Sequence, residues 1–262
     1  MTDPAGPVCI AAAGDLDGDG IANDKDFCQH MAGGAHDEDG DGIGDECDKC
    51  PIAPPSSTAD ADGDAVEGSQ CDPDTRTPGD TIALFNGFNN SIPNLPPAWQ
   101  VKGGELLMTP ITAGNVEEVE FQLPGNTSEV AVDAAFRIDS IAAGAATPTV
   151  GVFAKSPDVP MGIFLNRCGG ARIGSADTDQ IVLQTETTAN TAVLPDQFDP
   201  AKLYRVTLRL DHSNADCVMI VNNDANRTQH SSQQISGAAM SRIGIYAKDA
   251  TIRFAYVMAV AR

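Results

Sequence analysis

The hydrophobic pattern of this 262-residue chain changes character near residue 80. Beyond it, short apolar runs are separated by turns rich in Gly, Pro, Asn and Asp: TIALFNGF, AWQVKGGELLMTP, VEEVEFQLP, EVAVDAAFRIDSI, TVGVFAKS, MGIFLNRC, YRVTLRLDHS, DCVMIVNND, SRIGIYAKD and ATIRFAYVMAVA. Many alternate, as Tyr204, Val206, Leu208 and Leu210 do against Arg205, Thr207 and Arg209. A period of two puts the two sets on opposite faces of a strand, and no long stripe of helical period interrupts the runs. Runs of this kind predict a mostly β chain over residues 80–262, folded as an antiparallel β-sandwich. Before residue 80 large apolar side chains are few, so that segment cannot bury a core that offsets chain entropy. An irregular segment held by metal and disulfides is expected there.

The metal chemistry is written three times, in DLDGDGIANDKDFC (15–28), DEDGDGIGDECDKCP (37–51) and DADGDAVEGSQC (60–71). Calcium takes six to eight hard oxygen donors at about 2.3–2.6 Å from carboxylates and carbonyls around a sharp turn. Aspartates at relative positions 1, 3 and 5 converge on one point only if the chain coils around the ion. Gly20 and Gly42, at position 6, supply the freedom for that coil. The candidate ligands are Asp15, Asp17, Asp19, the Ile21 carbonyl, Asn23 and Asp26 in the first copy. In the second they are Asp37, Asp39, Asp41, the Ile43 carbonyl, Asp45 and Asp48, and in the third Asp60, Asp62, Asp64, Glu67 and Asp72. A disordered acidic tail would have no reason to repeat this spacing. An EF-hand or dockerin would need an apolar-periodic helix after the loop, whereas the chain continues as CQHMAGGAH and CPIAPPSST.

At these residues the segment resembles the thrombospondin type 3 repeat, D-x-D-x-D-G-x-x-D/N-x-x-D-x-C-P. The second copy matches throughout, and the first has Gln29 where proline is usual. In the third, Ala65 replaces the turn glycine, Gly68 stands where an acidic ligand is expected, and Cys71 falls one residue later than Cys47 does in its copy. The resemblance implies pairing of Cys28 with Cys47 and of Cys50 with Cys71. It also implies about four calcium ions on the two full copies, or up to about six if the third takes part. The expected organisation is an extension over 1–14, repeats over 15–79 and the sandwich over 80–262.

Residues 1–80 carry 20 Asp and Glu against 3 Lys and Arg, a net of −17 out of −21 for the chain. Such a charge argues against nucleic acid and against an anionic membrane surface as partners. Five of the seven cysteines lie in the same segment, which points to an oxidising compartment. Zinc at Cys47-x-x-Cys50 is the competing reading, but no second such pair or paired histidine follows at ligand spacing. Cys9 is left over: an intermolecular bridge, the mate of an upstream cysteine, a free thiol, or an intrachain partner that would displace the pairing above. Cys168 and Cys217, each just off an apolar run, are expected to staple neighbouring strands or loops. No run approaches the ~20 apolar residues of a membrane span. VCIAAAG has neither the length nor the basic flank of a signal peptide. The expectation is therefore a mature extracellular or cell-surface chain.

Several motifs of the second part resemble the concanavalin-like jelly roll, which includes laminin-G-like domains, legume-type lectins and several glycoside hydrolases. They are Phe85 and Phe88; Trp99, Val101, Gly103, Gly104 and Leu106; Tyr204 to Leu210; and a closing RIGIYA with IRFAYVMAV, in which Phe254-Ala255-Tyr256-Val257 departs from the commoner F-D-N-V. Retaining glycosidases of this fold need two carboxylates about 5–5.5 Å apart. The nearest match, Glu117-Glu118-Val119-Glu120, reads as a half-exposed strand with solvated glutamates. His212 and His230 have no nucleophile motif nearby, so no enzyme is expected. Trp99 reads as a core residue and not a sugar platform. Two functions follow as expectations. The first is a non-enzymatic, secreted, calcium-binding structural protein, an arm plus a β-sandwich head that self-associates into a fibre or surface layer or binds other extracellular proteins. The alternative is a calcium-dependent adhesion or carbohydrate-binding module with glycans as partners.

Overall fold

The alternating runs pair into two antiparallel sheets in the computed structural model, and the chain is mostly β. The structure describes residues 14–54, 60–142, 145, 147–157, 166–172, 179–185, 188–194, 197–222, 224–235 and 239–262. The chain divides into two compact units, Met1–Pro78 and Gly79–Arg262. Cys9, and with it nearly all of the expected extension over 1–14, lies outside the described residues.

The second unit holds β1 (Thr81–Asn86), β2 (Trp99–Val101), β3 (Leu106–Met108), β4 (Val116–Thr127), β5 (Glu129–Ile141), β6 (Thr149–Lys155), β7 (Asn166–Arg172), β8 (Asp179–Gln184), β9 (Ala189–Val193), β10 (Tyr204–Asp211), β11 (Asn214–Val221), β12 (Asp224–Gln234), β13 (Met240–Lys248) and β14 (Ala250–Ala261). One sheet runs β12-β11-β10-β5-β14-β3-β2, with β1 also paired to β14; the other runs β4-β13-β6-β7-β8-β9. The inward set of each strand is the apolar one. Val132, Ala134 and Phe136 of β5 and Val206 and Leu208 of β10 meet Val150 and Val152 of β6 and Ile243 and Ile245 of β13 in one core. Phe136 stacks on Tyr204 with ring centres 5.5 Å apart and lies 5.7 Å from Phe254. Burying each large apolar side chain contributes roughly 1.5–3 kcal/mol. The antiparallel β-sandwich expected from the alternation is the fold.

Three strands lie outside the ten apolar runs. β9 and β12 are the last strands of their sheets, and β9 is largely exposed. An edge strand has one bonded neighbour and little to bury, so its sequence need not alternate. β8 alternates, with Ile181 and Leu183 inward, but is only six residues long. Of the MGIFLNRC run, NRC opens β7, which continues through GGAR, and residues 161–165 lie outside the described residues. The long AWQVKGGELLMTP run is broken into β2 and β3 by Gly103 and Gly104, at φ 67° and 76°.

Cys168 of β7 and Cys217 of β11 form a disulfide with Cα atoms 5.3 Å apart. The expectation of a staple between neighbours is corrected: the two strands belong to different sheets, and the bridge crosses the core because both side chains point inward. It closes a sequence separation of 49 residues. Replacing both cysteines with alanine should cost the sandwich about 3–4 kcal/mol. A urea titration followed by the fluorescence of Trp99, the single tryptophan, would check this, and an unchanged midpoint would refute it.

Candidate metal centre

The loop of each aspartate-rich copy is built by its own carboxylates. The first aspartate accepts hydrogen bonds from the amides three and five residues on. Asp15 takes Gly18 at 2.8 Å and Gly20 at 3.1 Å, Asp37 takes Gly40 at 2.7 Å and Gly42 at 2.8 Å, and Asp60 takes Gly63 at 2.6 Å and Ala65 at 2.9 Å. The third aspartate accepts from the amide two residues on: Ile21 to Asp19, Ile43 to Asp41, Val66 to Asp64. Side-chain bonds of this kind make a local turn without a helix or a ladder. The turn requires positive φ at its fourth and sixth positions: 81° and 96° at Gly18 and Gly20, 79° and 95° at Gly40 and Gly42, 88° and 78° at Gly63 and Ala65. The degenerate copy thus keeps the same coil, with Ala65 held in a region that costs an L-residue about 1–2 kcal/mol.

Within each copy one carboxylate oxygen from each of the three spaced aspartates lies within 4.8 Å of the others: Asp15, Asp17, Asp19; Asp37, Asp39, Asp41; Asp60, Asp62, Asp64. Several of the remaining oxygens are shut off from solvent with no hydrogen-bond partner: Asp17 Oδ2, Asp39 Oδ2, Asp41 Oδ2, both oxygens of Asp62, and Oδ2 of Asp26, a residue only 5% exposed. Buried oxygens without a donor are rare and costly. Burial, and then the charges of Asp41, Asp48 and Asp37, push the Asp39 carboxyl up to about 6. Burial likewise raises Asp45 and Asp48, and Asp48 lies in the field of Asp41, Asp45 and Glu67. Asp19 is held below the ordinary range by the Gly33 amide and then that of Ile21. The donors are all hard oxygens, a set that fits calcium and not a soft metal.

The other predicted ligands take different places. Asn23 Oδ1 accepts from the Leu16 amide at 2.9 Å and Asp45 Oδ1 from the Glu38 amide at 2.8 Å, so each closes its loop; Gly68 has no side chain to do the same. Asp26, Asp48 and Asp72 each accept from the amide two residues on. Glu67 Oε1 lies 3.1 Å from Lys49 Nζ, a contact that spacing alone does not announce. Ile21 and Ile43 sit at the turn, where their amides are bound.

Disulfides join the copies: Cys28 with Cys47 and Cys50 with Cys71, Cα atoms 5.8 Å and 5.5 Å apart. Both cysteines of the Cys47-x-x-Cys50 motif are consumed, which removes them as zinc ligands. Gly44 and Gly34 pack against the first bridge, where a Cβ at Gly44 would sit 2.6 Å from Cys28 Sγ and one at Gly34 2.4 Å from the Cys28 amide. Among the described residues the only helix is α1 (Gly68–Cys71), a single turn.

In the sandwich, the reading of Glu117–Glu120 as solvated is corrected. Glu118 is 8% exposed, and on the same face of β4 as Glu120, turned away from the core. Lys155 of β6, at 0% exposure, reaches across β13 to Glu118 at 3.1 Å and also pairs with Glu120, which in turn holds Arg242 at 2.9 Å. Gly244 lies between them on β13 and makes the crossing possible, since a Cβ there would sit 2.4 Å from the Phe153 ring. The Lys155 ammonium lies 4.6 Å from the centre of that ring. Only the cross-strand register reveals this cluster. Trp99 opens β2 in the core, its ring 5.9 Å from Phe254. His212, on the β10–β11 hairpin, lies 2.6 Å from Glu129.

No protein-family model matches the sequence, and no curated protein does. Among solved structures, the chain is similar to the CBM2 module of Lactobacillus casei BL23 phage J-1 evolved Dit (TM-score 0.47, 9% identity, covering 70% of this chain and 96% of that one). It is also similar to a Bacillus licheniformis β-glucanase (0.47, 10%, 70% and 99%) and to a non-specific endo-β-1,3(4)-glucanase of family GH16 (0.45, 9%, 69% and 91%). Nothing about ligand or chemistry follows from likeness at that level.

Two substitutions test the local accounts. Lys155→Met takes the ammonium away from the buried Glu118, while Glu120 keeps Arg242, and should destabilise the sandwich by about 3–5 kcal/mol; chemical denaturation reads this, and a loss below about 1 kcal/mol would mean water already solvates the pair. Ala65→Gly relieves the left-handed backbone and should stabilise the third loop by about 1 kcal/mol. Slower proteolysis between residues 60 and 71 is the expected sign, and faster cleavage would contradict it.

Proposed function

We propose that the chain is a non-enzymatic, secreted, calcium-binding structural protein whose aspartate-rich arm becomes rigid on binding calcium and carries the β-sandwich as a head. The observation that carries this reading is the set of donor-less, solvent-excluded aspartate oxygens in all three copies. A dication is the group that neutralises three converging carboxylates. Asp15, Asp17, Asp19, Asp37, Asp39, Asp41, Asp60, Asp62 and Asp64 would hold it, with Asn23, Asp26, Asp45, Asp48, Glu67, Asp72 and the Ile21 and Ile43 carbonyls completing the shells. Resemblance to thrombospondin type 3 repeats supports the same ion and a total of about four to six. Three disulfides support an extracellular setting, and among the described residues no helix is long and apolar enough to cross a membrane.

Self-association through the arm is part of the proposal. Leu16, Phe27, Met31 and Ile43 are exposed there, four large apolar side chains in a unit with little core. A carbohydrate-binding head has less support, since among the described residues no aromatic ring of the sandwich is exposed. An enzymatic head has less still: Glu118 and Glu120 are both engaged by Lys155, which leaves no separate acid and nucleophile between them.

Calorimetric titration of the purified chain should show calcium uptake, and saturating calcium at a hundredfold excess over Kd should stabilise the arm by about 2.7 kcal/mol. Asp39→Ala should reduce the bound ions and expose residues 28–71 to protease while the sandwich stays folded. Absence of any uptake would end the calcium reading. Light scattering before and after EDTA tests assembly, which an unchanged monomer in both conditions would disprove.

A further inference from the structure

The third copy differs from the others in one respect that its loop geometry does not explain. Lys49, from the end of the second copy, lies with its ammonium 3.1 Å from Glu67 Oε1 and 3.8 Å from Asp60 Oδ2. Glu67 is the acidic side chain left to serve this copy where Gly68 replaces the usual donor. Lys49 and any calcium ion at Asp60, Asp62 and Asp64 therefore compete for the same carboxylates. The competitor is held in place by backbone, because the Glu67 amide donates to the Lys49 carbonyl at 3.2 Å and the Cys50–Cys71 bridge follows directly. Its side chain is nonetheless 47% exposed, and an exposed ammonium–carboxylate pair is weak enough for a divalent ion to displace. Asp62, between Asp60 and Asp64, keeps both oxygens out of solvent and without a donor, so the loop remains shaped for an ion that Lys49 does not replace there.

We propose that Lys49 is a built-in competitor cation that lowers the affinity of the third calcium position, so that this copy loads last, when calcium displaces the ammonium and Glu67 turns to the ion. This rests on the calcium reading above and adds an order of loading to it. A unit positive charge beside a divalent cation site in solvent would weaken binding by about tenfold. That places the third position toward the 10⁻⁴–10⁻³ M range found in extracellular modules. The arm would then respond to changes in calcium at concentrations where its first two copies are already full.

The test is equilibrium dialysis against radioactive calcium on the full, disulfide-intact chain. In Lys49→Met the weakest class of sites should tighten about tenfold, and Lys49→Gln should do the same. Lys49→Arg, which keeps the charge, should stay within about twofold of the parent. Asp62→Asn should abolish the weakest class in the parent and in Lys49→Met alike, which assigns it to the third copy. Peptide mapping of the Cys50–Cys71 bridge verifies that each variant is folded. If both neutral variants bind as the parent does, or the weak class survives Asp62→Asn, the role of Lys49 is refuted while the tighter sites leave the calcium reading standing. If the parent takes up no calcium, both fall.

Discussion

Carboxylate oxygens cut off from water and from every hydrogen-bond donor cost several kcal/mol each unless a positive charge meets them. The arm gathers such oxygens at three points along about sixty residues, and its described residues bury few apolar side chains with which to offset them. The first aspartate of each copy does structural work: Asp15, Asp37 and Asp60 each bind amides of their own loop through both carboxylate oxygens. In each copy one carboxylate oxygen from each of the three spaced aspartates still lies within 4.8 Å of the other two. The chain itself thus organises the coil, and under the proposed function a bound cation would relieve the repulsion that the coil creates.

The two disulfides complete this arrangement by joining consecutive copies and leaving the interior of each loop to oxygen. Gly34 and Gly44 are small because the first bridge passes within van der Waals reach of them. In the sandwich the balance is the opposite. Apolar alternation builds the core, the Cys168–Cys217 bridge crosses it, and the buried charges Asp133 and Lys155 are each met by partners. Asp133 receives Arg205 at 2.9 Å and the Tyr256 hydroxyl at 2.8 Å, and Lys155 sits between Glu118 and Glu120.

Reading outward from the residues, the arm is the more legible part, because its chemistry is local. Ligand spacing, turn glycines and cysteine positions all lie within fourteen residues of one another in each copy, so the chain itself brings them together. The central β-strands are legible for a similar reason: period-two alternation in β5, β10 and β14 is a property of consecutive residues. Edge strands β9 and β12 have no such signature, because a strand that buries little is under little compositional constraint.

By itself, the sequence determined that there are three aspartate coils, that the segment carrying them lacks a core, and that the remainder is a sandwich of alternating strands. Tertiary structure alone decided which distant groups meet. It brought Lys49 of one copy onto Glu67 and Asp60 of the next, turned Glu118 from a solvated side chain into the partner of a buried lysine, and sent the Cys168–Cys217 bridge across the sheets. The physical reason is range: turns, alternation and ligand spacing are set by neighbours along the chain, whereas charge pairing and strand order are set by register between strands and copies far apart in sequence.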